Sequence, residues 1–273
     1  MRGTRIIGVD FTSAPRSAKP ITLAIGHLES TRFVLDELQS LPDWPTFEAA
    51  LRRPGPWIGG FDFPFGLPRP AVIDLGWPQE WAALVGHCAA MGRLRFRAAL
   101  DAHREARPVG NRYVHRRTDG PARSHSPLKL VNPPVGLMFL EGAPRLLNAD
   151  VSIPGIRIGD ATRIALEAYP GFAVRTITSE SYKSDERAKQ TPARRHVRAR
   201  IVATLTSSGG PFGCTLDGTK LRSLVDDASG DRLDAVVAAM QAAWAWRRRA
   251  RNYGLPADVD PLEGWIVGAR EPK

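Results

Sequence analysis

The sequence predicts an α/β fold: a mixed five-stranded sheet with helices on both faces and a helical, basic insertion at about 77–150. Three observations predict it. Short apolar runs recur along the chain, and several end in an acid. Longer stretches carry apolar residues at helical spacing, and Pro/Gly clusters separate the two kinds of segment. A chain of 273 residues, 43 % hydrophobic and 24 % charged, suits a single domain, 1–273, with a substantial core.

The elements follow in order. "TRIIGVDF" is a buried strand ending at Asp10. "ITLAIGHL" and "RFVLDEL", separated by a polar turn, complete a three-strand antiparallel meander. "WPTFEAALRR" is a short amphipathic helix closed by Pro54 and Gly55. "PWIGGFDF" is a fourth strand ending at Asp62, stopped by the turn "PFGLPRP". In the insertion, "RLRFRAALDAHREARP" and "PPVGLMFLEGAPRLL" have helical character and flank a polar, turn-rich basic stretch. "ATRIALEAYPG" is a fifth strand with Glu167 near its end. "TPARRHVRARIVATL" opens with Thr191 as cap and Pro192 at the first helical position. The last helix, "GDRLDAVVAAMQAAW", presents Leu233, Val236, Val237, Met240 and Trp244 as a core stripe. "EGWIVGA" closes the chain as a short strand or edge segment.

Composition narrows the function classes. The net charge of +10 favours polyanions, although an Arg-rich, Ala-rich and Pro-rich composition also follows from a GC-rich genome. Cys88 and Cys214 are the only cysteines and lie far apart, which argues against a zinc site and a disulfide framework. No segment reads as a signal peptide or a membrane span, so the expectation is a cytoplasmic protein with no membrane partner.

The acids carry the chemistry. Asp10, Asp62 and Glu167 stand at or near strand ends, where open α/β sheets place their sites. Asp231 and Asp234 lie three apart on the last helix and so on neighbouring turns. Each has an ordinary explanation: a turn residue for Asp10 and Asp62, a surface group for Glu167, a helix-dipole partner for Asp231. Together they form a set of carboxylates that repel one another unless cations neutralise them. Hard oxygen ligands suit Mg²⁺ or Mn²⁺, and a two-metal site is the expectation.

The segments "GVDFTSA", "GGFDFPFGLP", "LEAYPG", "GDRLDAVVAAMQA" and "EGWI" span almost the whole chain. Together they resemble the DUF429 family, a group of predicted nucleases with a ribonuclease H-like fold. More distantly, Asp10 with the Asp231/Asp234 helix resembles Holliday-junction resolvases of the same fold superfamily. The resemblance implies that Asp10, Asp62 or Glu167, Asp231 and Asp234 hold metal, with Asp10 bridging two ions. It implies metal-dependent phosphodiester hydrolysis. The alternatives are an actin-like or sugar-kinase-like phosphotransferase, disfavoured by the lack of a Gly in the turn after the first strand, and a non-catalytic nucleic-acid-binding module.

Nucleic acid is the expected partner, tracked by Arg93, Arg95, Arg112, Arg116, Arg117 and Lys129 in the insertion. His115 and His125 lie in the same stretch and are candidate acid–base groups. Tyr182 and Lys183 are candidates to reach a substrate phosphate.

Overall fold

The computed structural model describes residues 4–270. Seven strands form one mixed sheet in the order β5-β6-β4-β1-β2-β3-β7. They are β1 (Arg5–Asp10), β2 (Ile21–Glu29), β3 (Arg32–Leu41), β4 (Trp57–Asp62), β5 (Val151–Ser152), β6 (Asp160–Glu167) and β7 (Thr215–Asp217). The meander β1-β2-β3 is antiparallel, and β4, β5, β6 and β7 join through parallel pairings. The sequence predicts five strands. The two further ones are edge strands of two and three residues, too short to leave an alternating pattern. "EGWIVGA" contributes a single parallel bridge, Glu167 to Ile266, in place of a strand.

Nine helices lie among the described residues: α1 (Trp44–Leu51), α2 (Arg69–Asp74), α3 (Trp81–Glu105), α4 (Asp119–Ala122), α5 (Val135–Asn148), α6 (Pro170–Val174), α7 (Pro192–Ser207), α8 (Leu221–Asp226) and α9 (Asp231–Trp246). No described helix is long and apolar enough to cross a membrane. Two cores lie on opposite faces of the sheet. On one, α1, α3 and α5 cover Ile7, Val9 and Phe61; on the other, α7 and α9 cover Ile6, Ala24 and Ile58. The alternation along β1 and β4 assigns the faces: Ile6, Gly8 and Asp10 look one way, and so do Ile58, Gly60 and Asp62.

The second face positions the site. Gly8 and Gly60 pair across β1 and β4, and α9 lies directly over them. A Cβ on Gly8 would overlap the Ala235 carbonyl and the Ala239 nitrogen; one on Gly60 would overlap the Ala238 carbonyl. Glycine below and alanine above thus bring α9 onto the sheet with no side-chain layer between. The helix is buried almost all round, beyond the stripe read from sequence: Ala235, Ala238, Ala239, Ala242 and Ala243 are fully enclosed. Its first turn reaches the C-terminal ends of β1 and β4, and so do Asp231 and Asp234.

Candidate active site

Asp10 and Asp62 are direct register partners at the ends of adjacent parallel strands, roughly 4.8 Å apart in the pairing direction. Both line a cavity of about 390 Å³ together with Ser13, Lys19, Lys183 and Asp231. Among the described residues no hydrogen-bond donor meets either carboxylate. Burial raises Asp10 well above the usual carboxylate range; Lys183 opposes this, and Asp234, Asp231 and Asp62 add to it. Burial likewise pushes Asp62 up to about 7, against Lys183 and with Asp234 and Glu167. These are carboxylates in want of a cation.

The other two acids of this face already have one. Asp234 is fully buried, accepts the Tyr182 hydroxyl at 2.6 Å and pairs with the Lys183 ammonium. Burial works to lower the Lys183 pKa, but Asp234, Tyr182, Asp10 and Asp62 outweigh it and hold the ammonium well above its ordinary value. Asp231 takes both oxygens to Lys19 Nζ at 2.9 and 3.1 Å, and Lys19 also reaches Asp185 at 2.6 Å. Five carboxylates, Asp185 included, therefore share two ammonium groups.

Glu167 departs from the expected set. Phe61, not Asp62, is its register partner. The strand alternation sends it to the opposite face, where it is buried among other donors. Arg116 clasps it at 2.7 and 2.8 Å, and the Phe65 amide donates to it at 3.0 Å. The same guanidinium binds Asp119 at 2.9 and 3.2 Å and the Glu263 carbonyl at 2.9 Å. Arg116, expected on nucleic acid, is thus 3 % exposed and committed within the fold, with no surface to offer a phosphate backbone.

The remaining basic candidates are spread over the insertion. Arg95, Arg112 and Arg117 are exposed. Arg117 also binds Asp258 at 3.0 Å. Arg93 donates to the Ser13 carbonyl at 3.3 Å, which ties α3 to the loop beside Asp10. Lys129 stands beside His125, with 3.5 Å between Nζ and Nε2. Sequence reasoning missed Lys19 and Arg175. Lys19 is one cation in a short Pro-flanked loop, and its partner Asp231 is 212 residues away, so no local signal could have found it.

A hard divalent ion is the group these acids imply. Among the described residues no three Asp, Glu, His or Cys side chains stand together as a ready metal cage. The donor set fits a more open site. Mg²⁺ keeps several waters and is commonly held by one or two carboxylates with substrate phosphate supplying the rest. Asp10 and Asp62, without donors and facing a cavity, offer that pair. Comparison of the chain with protein-family models, with curated proteins and with solved structures returned no match.

Proposed function

We propose that the protein is a ribonuclease H-like, divalent-metal-dependent nuclease, with Asp10 and Asp62 holding Mg²⁺ or Mn²⁺. The observation that carries this reading is the pair of donor-free carboxylates in register at the ends of β1 and β4, facing a cavity with a lysine on each side. The reading accords with the resemblance of the same segments to the DUF429 family.

When bound, the ion supplies Lewis-acid stabilisation of the phosphoryl charge and acidifies water. The chain's own residues do the rest. Lys183 faces the same cavity as the pair. With one N–H on Asp234, its ammonium keeps two for the oxygens of a phosphate. Asp234 and Tyr182 are positioning residues that fix this ammonium beside the acids. Lys19, held by Asp231 and Asp185, places a second positive charge on the other wall. Exposed Arg95, Arg112 and Arg117 on the insertion steer a polyanion toward the cavity through the long-range field.

The test is hydrolysis of labelled oligonucleotides with Mn²⁺ or Mg²⁺, alongside calorimetric titration of Mn²⁺. Cleavage should require the ion and should fall at least 100-fold in Asp10→Asn and Asp62→Asn. Mn²⁺ affinity should also weaken as pH falls through about 7, because the proton on Asp62 competes with the ion. Cleavage that persists in Asp10→Asn, or no Mn²⁺ binding to wild type, would sink the reading.

A further inference from the structure

A second cavity, of about 530 Å³, opens on the other side of Asp62. It shares Asp62, Lys183, Pro133 and Met138 with the first, so the two meet at Asp62. Its volume is in the range of small-ligand sites, and one nucleotide fits it where a duplex does not. Half-buried Val135 and Tyr169 give it apolar wall, and the Tyr169 ring is a flat face of the kind on which bases stack.

The polar side of this cavity is cationic. Arg175 lies over the Tyr169 ring at 5.0 Å from its centroid and is held by the Ala122 carbonyl at 2.6 Å, the Tyr169 hydroxyl at 3.3 Å and the Arg123 carbonyl at 3.4 Å. His125 shares the wall with it, and Lys129 stands at His125. Burial, then Lys129, His115 and Arg175, push the His125 pKa down. Among the described residues no carboxylate answers Arg175, His125 or Lys129. Glu180 lines the cavity but is taken by Arg200 at 2.5 Å, and Glu167 is taken by Arg116. His115 stands 3.9 Å from an Asp119 carboxylate that Arg116 already holds. Arg175 on the wall and Lys129 behind His125 are cations without a carboxylate partner among the described residues; a bound anion relieves their repulsion, and the His125 ring offers a further hydrogen-bonding nitrogen.

We propose that this cavity is a nucleotide subsite: an unpaired base lies against the Tyr169 ring, and its phosphate meets Arg175, His125 and Lys129. The proposal rests on the phosphodiester reading and names its substrate as single-stranded nucleic acid, because a base enclosed here cannot remain paired. Asp62, at the junction of the two cavities, then stands beside the linkage that joins this nucleotide to the next.

The experiment is calorimetric titration of the full-length protein in EDTA with adenosine and uridine 5′-monophosphates, the free nucleosides and inorganic phosphate. Wild type should bind a monophosphate at least tenfold tighter than either its nucleoside or phosphate. His125→Ala with Lys129→Ala, on exposed and half-buried positions, should weaken monophosphate binding at least tenfold and leave nucleoside binding unchanged. Phosphate binding as tightly as the monophosphate would reduce the cavity to a simple anion patch and overturn the subsite. Affinity indifferent to the double substitution would overturn it too. No metal and no cleavage enter this titration, so nucleotide binding without Mn²⁺-dependent hydrolysis would fail the nuclease reading alone. Equal cleavage of single strands and duplexes would fail the subsite alone.

Discussion

Two ionic clusters flank the sheet at the same end, and they are built on opposite principles. Around Arg116, one guanidinium serves two carboxylates, and every oxygen has a donor. Glu167 has Arg116 and the Phe65 amide; Asp119 has Arg116, its backbone amide at 2.8 Å and the Ser124 hydroxyl at 2.7 Å. Around Asp10 and Asp62, two ammonium groups serve five carboxylates, and two of the five have no donor. A fully satisfied network rigidifies, here tying the insertion to β6 and to the Glu263 segment. An under-satisfied one stores repulsion that a bound cation can discharge. Acids alike in sequence thus divide into a clamp and a site according to the donors the fold supplies.

The largest expected effect breaks the clamp. Arg116→Ala leaves Glu167 and Asp119 buried and uncompensated and should cost about 3–5 kcal/mol in chemical denaturation. A loss below 1 kcal/mol would mean that the cluster is not a clamp.

Gly8→Ala attacks the site from beneath. The new Cβ meets the α9 backbone, so the helix must move and carry Asp231 and Asp234 with it. Stability should fall by about 2–3 kcal/mol, as in an overpacked core, and Mn²⁺ affinity should fall with it. Unchanged Mn²⁺ affinity at reduced stability would show that α9 does not set the site.

Asp62→Asn should act in the opposite direction from the clamp substitution. With Asp62 at about 7, the folded chain retains a proton that the unfolded chain has already released above the ordinary carboxylate range. Stability therefore declines as pH rises from about 4 to about 7. Without divalent ions, the variant should be more stable than wild type at pH 8, by on the order of 2 kcal/mol. The advantage should vanish below pH 4, where both side chains are neutral. A variant less stable than wild type at pH 8 would contradict the reading of Asp62 as repelled.

The smallest effect is expected from Asp231→Asn. Its partner Lys19 is partly exposed and has Asp185 as a second carboxylate, so the loss should stay below about 1 kcal/mol. A loss comparable with that of Arg116→Ala would place Asp231 with the clamp.

Much of the frame was legible. The meander, the acid-ended fourth strand, the capped "TPARRH" helix and the final helix all follow from periodicity and punctuation, because these are local signals. The edge strands β5 and β7 were not legible, since two or three residues carry no period. The burial of Arg116 was equally hidden. In sequence it is one of a run of arginines beside Arg117, and only its partners 51 and 147 residues away distinguish it.

The sequence by itself determined that acids would gather at one end of the sheet. Asp10 and Asp62 close apolar strands, and glycines in those strands together with the alanines of the last helix allow the contact that brings Asp231 and Asp234 to them. The tertiary structure alone decided which acids remain free. Register between β4 and β6 is set by long-range packing, and one step of it turns Glu167 to the other face, toward Arg116. Lys19 sits in a loop closed by its own backbone bridge to Arg16, and Lys183 follows a segment held by Arg194 and Arg198 of α7, but the carboxylates that both ammonium groups meet lie on the last helix. Strand ends are written locally, whereas the donors that satisfy or abandon a carboxylate come from across the fold.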